Sequence, residues 1–148
     1  MEKVAIVYAS THHKNTYKLV EAIANKYDIT QIDATKEKNT DLTEFDLIGF
    51  ASGIDFGKFY ASVEQFLADN LPEKKRVFFL YTCAKDNGKF TETIKEKALE
   101  KNAAIMGEYG CRGYNTYGPL KLIGGMNKKN PNQEEMAAAV QFFESLIK

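Results

Sequence analysis

The sequence predicts a doubly wound α/β sandwich, a five-stranded parallel sheet with helices on both faces, formed as one domain over residues 1–148. Three observations predict it. Short apolar runs rich in Val, Ile and Phe alternate five times with longer segments of helical period, the pattern of a parallel sheet whose crossovers are helices. The strongest runs are continuous rather than alternating, as strands covered on both faces require. A chain of 148 residues, 44% hydrophobic, buries roughly 68–70% of the surface it exposes when unfolded, enough for one core without disulfides or a structural metal.

Lys3–Ala9 (KVAIVYA) forms the first strand. Asn15–Lys26 follows as a helix with Leu19, Val20, Ile23 and Ala24 on one face. Tyr27–Asp33 is a weaker second strand, and the polar residues 34–44 carry at most one helical turn, capped by Thr40 or Asp41. Phe45–Ala51 (FDLIGFA) is the third strand and Phe59–Ala68 a helix whose Val63, Phe66 and Leu67 face inward. Lys75–Tyr81 (KRVFFLY) is the fourth strand. A helix over Phe90–Lys101, a strand over Ala104–Tyr109 and a final helix over Asn132–Ile147 complete the series. Gly110–Pro131 is a long connection with five glycines, of the length that in compact domains is functional or disordered.

Composition narrows the function. Twenty Lys plus Arg balance 20 Asp plus Glu, which argues against a protein built around nucleic-acid phosphates. No apolar run approaches the roughly 20 residues of a membrane span. A strand begins almost at the N-terminus, with no signal peptide in front of it, and the two cysteines, Cys83 and Cys111, fit a reducing compartment. The expected location is the cytoplasm. Charge is uneven along the chain: residues 1–74 carry 8 basic and 12 acidic side chains, residues 75–148 carry 12 and 8, and no acid falls between Glu108 and Glu134. That basic stretch reads either as a solvated loop or as a docking surface for an anionic partner.

In an open parallel sheet, ligands bind at the carboxyl ends of strands where the winding reverses, which directs attention to residues 9–16, 52–58 and 82–89. The first of these, ASTHHKNT, sets Ser10, Thr11, His12, His13, Lys14, Asn15 and Thr16 at the start of a helix. Unpaired N–H groups and the positive end of the helix dipole make such a loop an anion site. Other phosphate loops are missing. There is no GxGxxG after the first strand and no GxxxxGK[ST]. The acidic cluster of a phosphoacceptor domain is replaced by Ser10 and Thr11, and neither cysteine is followed by arginine at the phosphatase spacing. A phosphate-monoester binder remains. The adjacent histidines have no Cys, Asp or Glu beside them to complete a zinc site, and one of them is read as a phosphate donor.

These residues resemble a known family. Tyr8–Ala24, YASTHHKNTYKLVEAIA, is similar to the phosphate loop and first helix of the flavodoxins, and Ser52–Leu67, SGIDFGKFYASVEQFL, to the second loop and following helix of their short members. Gly107–Gly125 resembles the fifth strand and connection. Lys14 stands where the common flavodoxin loop carries glycine. The resemblance implies strand order 2-1-3-4-5 and bound flavin mononucleotide (FMN), with its phosphate against Ser10, Thr11, His12, Lys14, Asn15 and Thr16. The isoalloxazine would then lie between Ser52, Gly53, Ile54, Phe56 and Gly57 of the second loop and Thr82, Cys83, Ala84, Asn87 and Gly88 of the third.

The residue types suit those places. Gly53 and Gly57 let backbone groups approach a flat ligand. Phe56, between them, has no helical period to make it core, and reads either as a ring that stacks on the ligand or as a cap on an apolar patch. The third loop offers N–H groups to the pyrimidine edge; Lys85 either adds to this or faces solvent, and Asp86 would act oppositely if it lies close. Cys83 and Cys111 end adjacent strands, which leaves open whether they approach each other; a buried free thiol pair is expected there rather than a disulfide. No acid, base or nucleophile constellation is present, which suits chemistry that belongs to a cofactor. The first reading is a one-electron carrier between redox partners, monomer or homodimer. The alternatives are an FMN-dependent NAD(P)H oxidoreductase acting on a quinone or similar small acceptor, and a flavin-free interaction module on the same fold.

Overall fold

The computed structural model describes residues 2–9, 14–84, 87–112 and 131–147. The chain runs β1 (Val4–Ala9), α1 (Asn15–Ala24), β2 (Thr30–Asp33), β3 (Leu47–Asp55), β4 (Lys58–Phe59), α2 (Ala61–Asn70), β5 (Arg76–Cys83), α3 (Glu92–Glu100), β6 (Ala104–Arg112) and α4 (Gln133–Leu146). Five strands pair in parallel in the order β2-β1-β3-β5-β6, which is the expected 2-1-3-4-5. The sheet nevertheless has six strands rather than five: β4 folds back antiparallel on the end of β3, with Ile54 level with Phe59 and Asp55 with Lys58. Two residues are too short to leave a pattern in sequence, and Phe59 had been assigned to the helix that begins at Ala61.

The helices form two layers. α2 and α3 pack together on one face of the sheet, over Ile48, Phe50, Val77, Phe79 and Tyr81. α1 and α4 pack together on the other, over Ile6, Leu47, Ala51, Phe78 and Leu80. Leu19, Val20 and Ile23, and likewise Val63, Phe66 and Leu67, are buried as their helical spacing requires; Ala24 is half-buried. Residues 34–44 contain turns but no helix, and Asp41 accepts hydrogen bonds from the amide and hydroxyl of Thr43 instead of capping one. α4 starts on a capping box in which Asn132 and Glu135 exchange side-chain-to-backbone bonds of 2.9 and 3.0 Å. Among the described residues, no helix is long and apolar enough to cross a membrane.

Two aromatic side chains of β5 set the packing of its neighbours. Gly49 of β3 is level with Phe78, and a Cβ there would overlap the Phe78 ring. On the opposite face, Gly110 of β6 is level with Tyr81, and a Cβ would again overlap the ring. Each ring therefore takes the place of the side chain that the neighbouring glycine lacks. Arg76, at the other end of β5, pairs with Glu2 at 2.6 Å and donates at 2.8 Å to the carbonyl of Leu146, the last residue of α4.

One carboxylate is buried against this pattern. Glu64 of α2 is 5% exposed, and among the described residues its Oε2 has no hydrogen-bond partner. Burial raises its pKa above the ordinary carboxyl value, against the opposing pull of Lys58 and Lys97.

Two predictions follow from the packing. Gly49→Ala is expected to cost about 1–3 kcal/mol by overpacking, read as a lower urea midpoint at unchanged slope, with Phe78→Leu in the same chain restoring part of the loss. For Glu64, folding disfavours the charged form, so the penalty is absent at acid pH and sets in as pH rises through the folded pKa. Glu64→Met is expected to raise the thermal midpoint at pH 7 and to lose that advantage as the pH falls through the ordinary carboxyl range.

Candidate functional site

The carboxyl ends of β1, β3 and β5 lie side by side, with Ala9 level with Ser52 and Gly53 level with Thr82. β1 is flanked by β2 on one side and β3 on the other. The winding therefore reverses between β1 and β3, where a doubly wound sheet opens its ligand crevice.

α1 begins at this edge. Lys14, just ahead of it, has φ 53° and ψ 33°, a left-handed conformation, and its side chain makes no cap bond. Glycine takes that conformation without steric cost, which explains why a glycine suits this place; Lys14 keeps the turn and adds an exposed cation. Asn15 and Thr16 are 7% and 1% exposed. The first intrahelical bond runs from the Lys18 N–H to the Lys14 carbonyl at 3.2 Å, so the N–H groups ahead of it point off the positive end of the helix. Thr16 Oγ1 and Thr82 Oγ1 share a buried hydrogen bond of 2.7 Å, which fixes the start of α1 to the end of β5. Ser10, Thr11 and His12, expected at the phosphate, lie outside the described residues, as do His13, Lys85 and Asp86.

Ser52, Gly53 and Ile54 belong to β3 rather than to a loop. The Ser52 hydroxyl is committed to the hairpin: it donates to the Gly53 carbonyl and accepts from the Tyr60 N–H at 2.9 Å. The loop proper is the turn Phe56–Gly57 between β3 and β4, with φ 51° and 78°, the pair of left-handed residues that a tight two-residue hairpin demands. Phe56 at its tip is 96% exposed. An apolar patch beneath the ring is thereby excluded among the described residues.

Thr82 and Cys83 are the last residues of β5, not the first of a loop. Both are buried, Ala84 is half-buried, and Asn87 and Gly88 are exposed. Asn87 Oδ1 accepts from the Lys89 N–H at 2.9 Å, and Gly88 has φ 75° with open space at its Cβ position. Cys83 and Cys111 do come near each other as free thiols, the Cys83 Sγ donating to the Cys111 carbonyl at 3.6 Å. Their side chains, however, sit on opposite faces, Cys83 among the residues under α2 and α3 and Cys111 beside Leu19 and Ala139. Burial is the first cause that pushes the Cys111 thiol up to about 12, with Glu135 adding to it.

Sequence reasoning missed Tyr60. It was read as part of a helix, whereas it precedes α2, and its hydroxyl lies against Gly53, where an added Cβ would overlap it. The Gly-Lys-Phe-Tyr run after a turn glycine was the available signal. Together the edge presents a cationic helix start, a pair of bonded hydroxyls, an exposed aromatic ring and two open glycines. Such a donor set can hold a ligand with one anionic end and one flat apolar end.

Comparison with known proteins agrees with this geometry. A family model described as a flavodoxin domain matches residues 5–121. An uncharacterized protein of Methanocaldococcus jannaschii is 36% identical over 148 residues, covering 99% of each chain. Among solved structures, the two-electron reduced flavodoxin of Megasphaera elsdenii matches with a TM-score of 0.61 at 19% identity, over 93% of this chain and 97% of that one. The apo form of an NADH:FMN oxidoreductase matches with a TM-score of 0.66 at 10% identity, over 100% and 91%. At such identities the solved structures speak for the fold alone. The sheet order and the match over residues 5–121 lead to one conclusion: the chain belongs to the flavodoxin-domain family.

Proposed function

We propose that the protein binds FMN noncovalently and serves as a one-electron carrier between redox partners. The residues fit that cofactor. Lys14, Asn15 and Thr16, with Ser10, Thr11 and His12, would hold the phosphate at the start of α1. Gly53, Ile54, Phe56 and Gly57 would face one side of the ring, and the backbone of Thr82, Cys83, Ala84, Asn87 and Gly88 its polar edge. Ser52 would take part through its backbone, since its hydroxyl is already bonded. When bound, FMN supplies the electron-accepting and electron-returning chemistry through its isoalloxazine.

The observation that favours a carrier over an enzyme is Phe56. A ring 96% exposed at the tip of a two-residue hairpin borders a site open to a partner protein, whereas hydride transfer from a nicotinamide needs a walled pocket. The counterpart in this reading is a redox protein that reaches the hairpin edge; neither nucleic acid nor membrane enters it. The two free thiols suit a reducing cytoplasm.

Titration of the purified protein is expected to give tighter binding of FMN than of riboflavin, and equal affinities would remove the phosphate contacts from the reading. Lys14→Gly keeps the left-handed turn and deletes the cation. It is expected to narrow that FMN-over-riboflavin preference by about tenfold, corresponding to about 1.4 kcal/mol, with little change in the stability of the ligand-free protein. Anaerobic reduction followed by absorbance separates the functions: two successive one-electron steps are expected of the carrier, and direct two-electron bleaching by NADH would mark the oxidoreductase instead.

A further inference from the structure

Away from the crevice floor, one buried carboxyl sits where three elements meet. Glu64 stands in the first turn of α2. α3 packs against both α2 and β4, and a lysine from each of these neighbours acts on the Glu64 carboxyl, Lys97 from α3 and Lys58 from β4. β1 and β3 also pack against α2, but among the described residues no titratable group of theirs, and none of α2 itself, acts on it. The carboxyl thus faces two cations and no second acid among the described residues.

Neither cation rests on it. Glu64 is buried and its Oε2 has no hydrogen-bond partner, and among the described residues neither Lys58 nor Lys97 takes part in an ion pair. That arrangement suits the carboxylic acid; a buried carboxylate needs a counter-charge in contact. Burial is the larger effect and raises the pKa, opposed first by Lys58 and then by Lys97. The two lysines differ in freedom. Lys97 is half-buried, whereas Lys58 is exposed and carries its ammonium on a flexible four-carbon stem. β4 is only two residues long, Lys58 and Phe59, so whatever holds Lys58 holds the returning arm of the hairpin that bears Phe56.

We propose that Glu64 is a proton-operated tie for the β3–β4 hairpin: when its carboxyl is ionised the Lys58 ammonium is drawn in to it and β4 is held to α2, and when it is protonated Lys58 stays in solvent. The hairpin then keeps only its pairing with β3 and the bond from the Tyr60 N–H to Ser52 Oγ at 2.9 Å. The sign follows from linkage. With Lys58 beside it the carboxyl gives up its proton more readily, so loss of the proton favours the tied hairpin, and the rim of the crevice tightens as pH rises through the Glu64 midpoint. Burial still outweighs the lysines, so the same ionisation lowers the stability of the domain as a whole. The tie operates in the chain without ligand and is independent of what the crevice binds.

The test is NMR on the full ligand-free chain and two variants, Lys58→Gln and Glu64→Gln. One reading is the Glu64 carboxyl shift against pH, the other the protection of the Tyr60 amide against hydrogen exchange. In the parent, Glu64 is expected to titrate above the ordinary carboxyl range and the Tyr60 protection to rise about tenfold across the same midpoint, which corresponds to a difference of about one unit between the tied and untied hairpin. Lys58→Gln is expected to raise the Glu64 midpoint and abolish the rise in protection, and Glu64→Gln to abolish the rise as well. Lys58 is exposed, so its replacement decides the matter even if Glu64→Gln fails to fold. Level Tyr60 protection while Glu64 titrates in the parent would overturn the proposal, and so would a Lys58→Gln variant that matches the parent in both readings. A Tyr60 protection that falls with rising pH, the direction expected of β1 amides from the cost of the buried charge, would overturn it too.

Discussion

The rest of the molecule is hung on β5, the strand that supplies side chains to the contacts of every layer. Its Phe78 ring covers Gly49 of one neighbour and its Tyr81 ring covers Gly110 of the other, on opposite faces. An aromatic ring seated where a glycine has no Cβ ties the register, since a slip would set a side chain in its place. Arg76 anchors both chain ends at the opposite end of the strand, through Glu2 and Leu146. At the carboxyl end Thr82 fixes the start of α1 through the hydroxyl of Thr16. The candidate crevice is therefore built at the end of a strand paired on both sides and tied to a helix on each face of the sheet.

The fold was legible because its evidence is collective. Residues such as Val77, Phe78 and Phe79 form runs that nothing but a doubly covered strand would bury, and Val63, Phe66 and Leu67 repeat at a period that only a helix puts on one face. The ends of elements were not legible in the same way. β5 continues through Thr82 and Cys83 because their backbones still find partners on β3 and β6, whereas polarity suggested a loop. β4 exists only because Phe56 and Gly57 both take left-handed angles and turn the chain back. For phenylalanine that angle is not foretold by composition. Tyr60 escaped notice for a related reason: its place depends on the absence of a side chain on Gly53, seven residues earlier, and an absence has no period.

Electrostatics at the edge differ from those of the chain as a whole. The formal charge of the protein is zero, but among the described residues Lys14, Lys58 and Lys89 are exposed on the three segments that meet there, with Asp55 the exposed acid beside them. Among the described residues none of the three lysines is within ion-pair distance of a carboxylate. The described charges of the edge are thus mostly positive, a balance that raises the rate at which an anion arrives more than its residence time.

The opposed orientation of Cys83 and Cys111 has a consequence for the chemistry of the pair. Joining them would require β6 to slip by one residue against β5, and such a slip would turn Tyr109 and its alternate neighbours out of the core and bring solvent-facing groups in. While the sheet keeps its register the two side chains lie on opposite faces, so a disulfide would need the backbone to move first. The 3.6 Å contact runs from the Cys83 sulfur to the Cys111 carbonyl, so the sheet in its register holds the pair as two separate thiols.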